Sequence, residues 1–210
     1  DRIKDFKKSY TISRKQSEEV VHILKLFGIP VLESPTEADP LCAQVVKCKG
    51  AYGVGSEDMD ILTFGSPVLL RGLSATKKMN EIKLDKILSD LKINQNEFID
   101  LCILLGCDYT TTIPKIGPKR ALEMILKYRS IEKIIEKEGD KYKVPDNFNY
   151  KDAREIFINP PLEKLDKRQL KLKRPNYNAI RETMVDIYDF DLNKVNEYIN
   201  KIKTNYVRIN

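Results

Sequence analysis

Histidine is nearly absent from this chain, and so is any close pairing of cysteines. His22 stands alone, and Cys42, Cys48, Cys102 and Cys107 show no C-x-x-C spacing. Zinc sites and histidine-based catalysis are therefore poorly supported, and the thiols read as reduced core residues. Long apolar runs are missing as well: the longest, residues 101–105, is far too short to cross a bilayer. The opening residues 1–8 are charged rather than an apolar leader. Together these absences set the expectation of a soluble, intracellular protein with no membrane partner.

What is present points to a folded chain with a polyanionic partner. With 210 residues and 41% hydrophobic content, the chain can bury one substantial core, or a core and a small lobe. Its formal charge is +6, with a sequence pI near 9.0. This excess coexists with clustered acids, so basic side chains must dominate other surfaces. Composition alone fits an ordinary soluble surface equally well.

Ser13 and Gln16 form a capping-box pattern ahead of Val20, Ile23, Leu24 and Phe27, whose helical spacing ends at Gly28. Three short apolar runs, residues 29–33, 52–56 and 67–71, alternate with helical patterns, as buried strands of a parallel sheet do. The expectation is α/β: a partial, mostly parallel sheet flanked by helices. Two acidic pairs follow the first two runs, Glu37 with Asp39 and Asp58 with Asp60. Open α/β sheets place ligands beyond the carboxyl ends of their strands, so both pairs belong on one rim. A fifth acid, Asp108, follows the apolar run 101–105. Acids crowded together without basic partners repel unless a divalent cation neutralises them, and magnesium is the simplest reason to gather them. Each also has a mundane reading. Ser34-x-x-Glu37 and Thr36-x-x-Asp39 fit overlapping capping boxes, Asp58-x-Asp60 is common in loops, and Asp108 fits a turn after Gly106.

The segment after Asp108 weighs most. Asn94 with Glu97 caps a helix through Phe98, Leu101, Leu104 and Leu105, and Asp108-Tyr109 leads to Ile113-Pro-Lys-Ile-Gly-Pro-Lys-Arg120 and a helix over 121–128. This reads as a helix–hairpin–helix. Gly117 lets backbone approach a phosphate, Pro118 suits a first helical position, and the second helix offers N–H groups beside Lys115, Lys119 and Arg120. Such an element grips a nucleic-acid backbone without reading bases.

In order, Ser34-Pro-Thr-Glu-Ala-Asp39, Glu57-Asp-Met-Asp-Ile-Leu-Thr-Phe-Gly65, Leu101-Cys-Ile-Leu-Leu-Gly-Cys-Asp-Tyr109 and Ile113-Pro-Lys-Ile-Gly-Pro-Lys-Arg-Ala121 resemble successive motifs of the eukaryotic flap endonucleases, in the structure-specific 5′ nuclease family. The resemblance runs from about residue 13 to the end and thins after Lys141. It implies 5′-flap endonuclease activity, with 5′–3′ exonuclease capacity, in which magnesium (or manganese) assists hydrolysis of DNA phosphodiesters. The implied setting is replication and repair in the nucleus, on DNA with 5′ flaps or nicks. Glu37, Asp39, Asp58, Asp60 and Asp108 match the family's catalytic metal ligands, with Asp39 where close relatives usually carry Glu. The hairpin residues Lys115, Gly117, Lys119 and Arg120 match DNA contacts. The carbonyls of Thr112, Ile113 and Ile116 match those that hold a potassium ion, and Phe190 and Lys194 fall where the family takes a short 3′ flap.

The resemblance also implies domain limits. Residues 1–12, with Arg2, Lys4, Lys7 and Lys8, resemble the basic end of a helical arch. Residues 13–108 form the carboxylate-rich nuclease core, and 109–210 carry the hairpin element and a helical C-terminal region. The family's N-terminal half, with two further aspartates, is not represented, nor is the tail that engages the sliding clamp, a partner expected of the full-length family member. The chain alone is therefore expected to be weakly active or inactive, as the C-terminal portion of such a nuclease. The alternative is a DNA-binding module without a competent site. A nucleotide-sugar reading of Asp58-Met-Asp60 leaves the hairpin and the basic charge unexplained.

Overall fold

The computed structural model of the protein describes residues 11–74 and 78–209. The arch-like residues Arg2, Lys4, Lys7 and Lys8 lie outside them. The chain divides into two compact units. One takes the chain up to Leu32 and again from Asp166, and the other is Glu33–Leu165. The boundary expected after Asp108 instead falls inside the second unit, because the helices on either side of it share one core.

In the first unit, α1 (Arg14–Leu26) begins at the capping box the sequence encodes: Gln16 N–H donates to Ser13 Oγ, and Ser13 N–H to Gln16 Oε1. It ends at Gly28, whose φ of +71° suits glycine and where a Cβ would lie 2.0 Å from the Lys173 carbonyl oxygen. That close approach lets Lys173 N–H donate to Gly28 O at 2.8 Å. The unit continues through α9 (Tyr177–Glu182), a π-helical turn (Thr183–Ile187) and α10 (Leu192–Ile209). Ile180, Val195 and Ile199 form its core, with Leu26 and Phe27 packed against them.

The second unit contains α2 (Ala38–Lys47), β1 (Val54–Gly55), α3 (Asp60–Thr63), β2 (Val68–Arg71), β3 (Asn80–Lys83), α4 (Leu84–Leu91), α5 (Gln95–Leu105), α6 (Pro118–Tyr128), α7 (Ile131–Tyr142) and α8 (Tyr150–Ile158). The architecture is mixed α/β and rich in helix, but the sheet differs from expectation. Its order is β1-β2-β3, with β1 and β2 parallel and β2 and β3 antiparallel. Residues 29–33 form no strand, since none of the described strands supplies the ladder partner their backbone needs. β3 went unforeseen because only Ile82 of Asn80–Lys83 is even partly buried, so the edge strand carries almost no apolar signal.

Side-chain burial, not the small sheet, dominates this unit. Ile61, Leu62, Leu69, Ile103, Leu104, Ile125 and Ile131 are fully buried, each contributing about 1.5–3 kcal/mol relative to exposure. One charge is drawn into the same core. Asp100 on α5 accepts from Arg154 Nε at 2.7 Å and Nη2 at 2.9 Å, and from Ile131 N–H at 3.1 Å. Arg154 on α8 also reaches Glu132 on α7 at 2.7 Å. The network ties α5, α7 and α8 together through groups that are costly to leave unpaired.

Candidate active site and nucleic-acid interface

The first acidic pair comes from the start of α2. Glu37 is its N-cap residue, but its side chain makes no capping bond, so the capping-box reading does not account for it. Its carboxylate instead accepts from the Tyr109 hydroxyl, 72 residues away in sequence. Asp39 sits half-buried in the first turn of α2, where a negative charge also suits the helix dipole. In the second pair, Asp58 has a turn role, since its Oδ1 accepts from Asp60 N–H at 2.9 Å. Asp60 opens α3, whose Ile61, Leu62 and Thr63 are buried and fix its direction. Asp108 follows Gly106, whose φ is +114°, in the exposed turn closed by the Cys107–Thr110 bridge.

The five acids share one electrostatic environment. Burial pushes the Asp60 carboxyl up to about 6, and Asp58, Asp108, Asp39 and Glu37 each push in the same direction. Every charged neighbour acting on Asp60 is thus another acid. Asp39 is raised by burial and then by Asp58 and Glu37. The convergence is at electrostatic range rather than ligation range: among the described residues, no three His, Cys, Asp or Glu side chains are arranged to hold a metal ion as they stand. Like charges resist closer approach, and Glu37, Asp58 and Asp108 are exposed.

Sequence reasoning passed over Tyr109. Its ring packs edge-on against Phe157 at 5.1 Å and Phe64 at 6.4 Å, which fixes the hydroxyl on Glu37. Burial first, and then that bond, raise the phenol well above its usual range, so it stays a donor. Its position next to Asp108 was the available signal. Cys102 and Cys107 also adjoin the acids. Burial pushes Cys102 up to about 12 and raises Cys107, so both remain thiols.

The hairpin segment connects α5 to α6. Ile113 and Ile116 are buried and anchor it in the core, while Thr112, Lys115, Gly117 and Lys119 are exposed. Gly117 is the N-cap of α6 and Pro118 its first residue, so this helix begins ahead of the expected residue 121. A Cβ on Gly117 would meet nothing within 4 Å. The glycine therefore faces open space, in a groove of about 450 Å³ lined by Lys115, Gly117, Lys119 and Arg120. Ile113 O accepts from Ile116 N–H at 3.3 Å. Arg120 is not a free cation: its Nη1 donates to Lys115 O at 2.8 Å and its guanidinium lies over the Tyr142 ring at 5.5 Å. In the other unit, Phe190 and Lys194 line an apolar groove of about 690 Å³ with Phe27 and Tyr198.

The carboxylate segment is similar to a known family region: residues 28–108 match the sequence model of the XPG I-region. The particular relatives are flap endonucleases. The chain is 43% identical over 196 residues to flap endonuclease 1 of Nematostella vectensis, covering 91% of this chain and 52% of that protein. It is 39% identical over 201 residues to flap endonuclease 1 of Homo sapiens, covering 93% and 53%. Among solved structures, flap endonuclease-1 from Methanococcus jannaschii superposes with a TM-score of 0.77 at 29% identity, over 95% of this chain and 62% of that one. The catalytic core of Rad2 in complex with DNA substrate gives 0.81 at 21% identity, over 96% and 72%, a likeness of fold alone. The resemblance drawn from the motifs is thus borne out, and the chain spans about half the length of the curated relatives it matches.

Proposed function

We propose that this chain carries part of the active site and a backbone-gripping element of a structure-specific 5′ nuclease that hydrolyses DNA phosphodiesters at 5′ flaps or nicks. The observation that supports this best is Asp60, half-buried and acted on by four other acids and no base. Hard oxygen donors without basic partners fit magnesium or manganese, and the neighbouring protonated thiols do not compete as soft ligands. Glu37, Asp39, Asp58, Asp60 and Asp108 would hold the ion. When bound, it supplies charge neutralisation and Lewis-acid assistance to phosphodiester hydrolysis.

The chain's own residues position the reaction. Tyr109 fixes one oxygen of Glu37, α3 aims Asp60, and the turn after Gly106 presents Asp108. The segment 106–117 with its flanking helices acts as a helix–hairpin–helix. Gly117 N–H, Lys115 and Lys119 hold phosphates of the duplex without reading bases, and the carbonyls of Thr112, Ile113 and Ile116 offer a potassium site beside them. In the whole protein we expect 5′–3′ exonuclease capacity, replication and repair roles in the nucleus, and a sliding-clamp partner.

A second reading, a DNA-binding module without a competent site, draws on the absence of a ready-made metal cage among the described residues. A 5′-flap substrate with magnesium separates the two. The chain alone should cleave weakly or not at all, and adding the N-terminal half of a flap endonuclease should restore cleavage that Asp60→Asn abolishes. Cleavage in that mixture that survives both Asp60→Asn and Asp108→Asn overturns the nuclease proposal.

A further inference from the structure

Lys115 has a φ of +69°, a left-handed conformation that a residue with a side chain resists. It stands at the tip of the segment that presents Gly117. One group holds it. Arg120, from the first turns of α6, donates Nη1 to the Lys115 carbonyl at 2.8 Å. The guanidinium that makes this bond lies over the Tyr142 ring, 5.5 Å from its centroid. Tyr142 is itself buried at the end of α7, so the platform under Arg120 is fixed by the core. Lys119, the preceding residue, makes no ion pair or hydrogen bond to a side chain among the described residues and is exposed in the same groove. The two adjacent cations are therefore in different situations, one with its fork engaged by the protein and one open to a ligand.

We infer that Arg120 is a positioning residue for the hairpin and not one of its phosphate contacts: it clamps the left-handed Lys115 turn to the Tyr142 platform and so keeps Gly117 and Lys119 in place for the DNA backbone. This rests on the nucleic-acid reading of the hairpin and revises the expectation that Lys119 and Arg120 act alike. A planar fork that donates to a carbonyl while lying on an aromatic face is a role lysine does not fill. Tyr142 enters as an uncharged partner of the same clamp.

Two measurements on the 210-residue chain test it. The first is the salt dependence of binding to a nicked DNA duplex. Lys119→Ala should flatten the slope of log K against log salt by about 0.9, the share of one neutralised phosphate. Arg120→Gln, Arg120→Lys and Tyr142→Leu should each weaken binding by about three- to tenfold, the span of one hydrogen bond, with the slope unchanged. A slope lowered by Arg120→Gln and restored by Arg120→Lys would show a direct phosphate contact and overturn the inference while leaving the DNA reading intact. The second measurement needs no DNA: hydrogen exchange at Ile116, whose N–H bonds Ile113 O across the Lys115 turn, should quicken in Arg120→Gln and in Tyr142→Leu. Unchanged exchange overturns the clamp by itself. If Lys119→Ala leaves binding and slope unaltered while exchange behaves as expected, the clamp stands and the DNA reading of the hairpin fails.

Discussion

Replacing Asp60 with asparagine should make the metal-free protein more stable. Asp60 is raised from 3.8 to about 6 by burial and by the charges of Asp58, Asp108, Asp39 and Glu37. The folded state therefore holds a proton more tightly than the unfolded chain does. Between pH 4 and 6 it binds more protons than the unfolded state, so stability falls as pH rises through that window and levels off above it. The full rise corresponds to about 3 kcal/mol, and solvent screening of a half-exposed group brings it to about 1–2 kcal/mol. Asparagine keeps the size and a side-chain oxygen but removes the charge. Urea denaturation in EDTA should show Asp60→Asn more stable by about 1–2 kcal/mol at pH 7.5 and equal to the parent near pH 4. Millimolar magnesium should then stabilise the parent and not the variant, because only the parent gains a ligand that binds the folded state. A variant that is less stable at pH 7.5, or a gap that does not close at low pH, would refute the claim that the acids act on one another.

Two further outcomes concern the framework. Asp100→Ala leaves Ile131 N–H unsatisfied and removes both of Arg154's bonds to α5; because Arg154 keeps Glu132, the loss should be near the lower end of the range for a broken buried pair, about 3 kcal/mol by denaturant titration. Gly28→Ala combines a left-handed φ with a Cβ placed 2.0 Å from Lys173 O, and should cost at least about 2 kcal/mol, read as earlier melting of the first unit by hydrogen exchange at Lys173 and Asn176.

Local chemistry made part of this legible in advance. The Ser13–Gln16 and Asn94–Glu97 capping boxes both form, because a helix start is decided within four residues. Each acid alone has an ordinary structural use, and it was their joint occurrence after apolar runs that pointed to the shared electrostatic environment around Asp60. What stayed hidden depends on distant partners. The Asp100–Arg154 pair spans 54 positions: Asp100 interrupts the apolar run of α5, but nothing local to it names Arg154 as its partner. The segment 29–33 has strand composition, yet pairing is a property of the neighbour and not of the segment. Arg120 reads as a phosphate ligand by motif, and only the position of Tyr142, brought back by α7, shows its fork engaged within the protein.

On the proposed function, five carboxylates separated by up to 71 positions, from Glu37 to Asp108, serve one divalent cation. Paramagnetic broadening by substoichiometric manganese, followed residue by residue in the amide spectrum, tests it directly. Signals from residues 37–39, 58–60 and 107–109 should broaden together with one saturation curve, excess magnesium should reverse the effect, and Asp60→Asn should weaken it in all three segments. Broadening limited to a single segment, or spread evenly over the acidic surface, would contradict it.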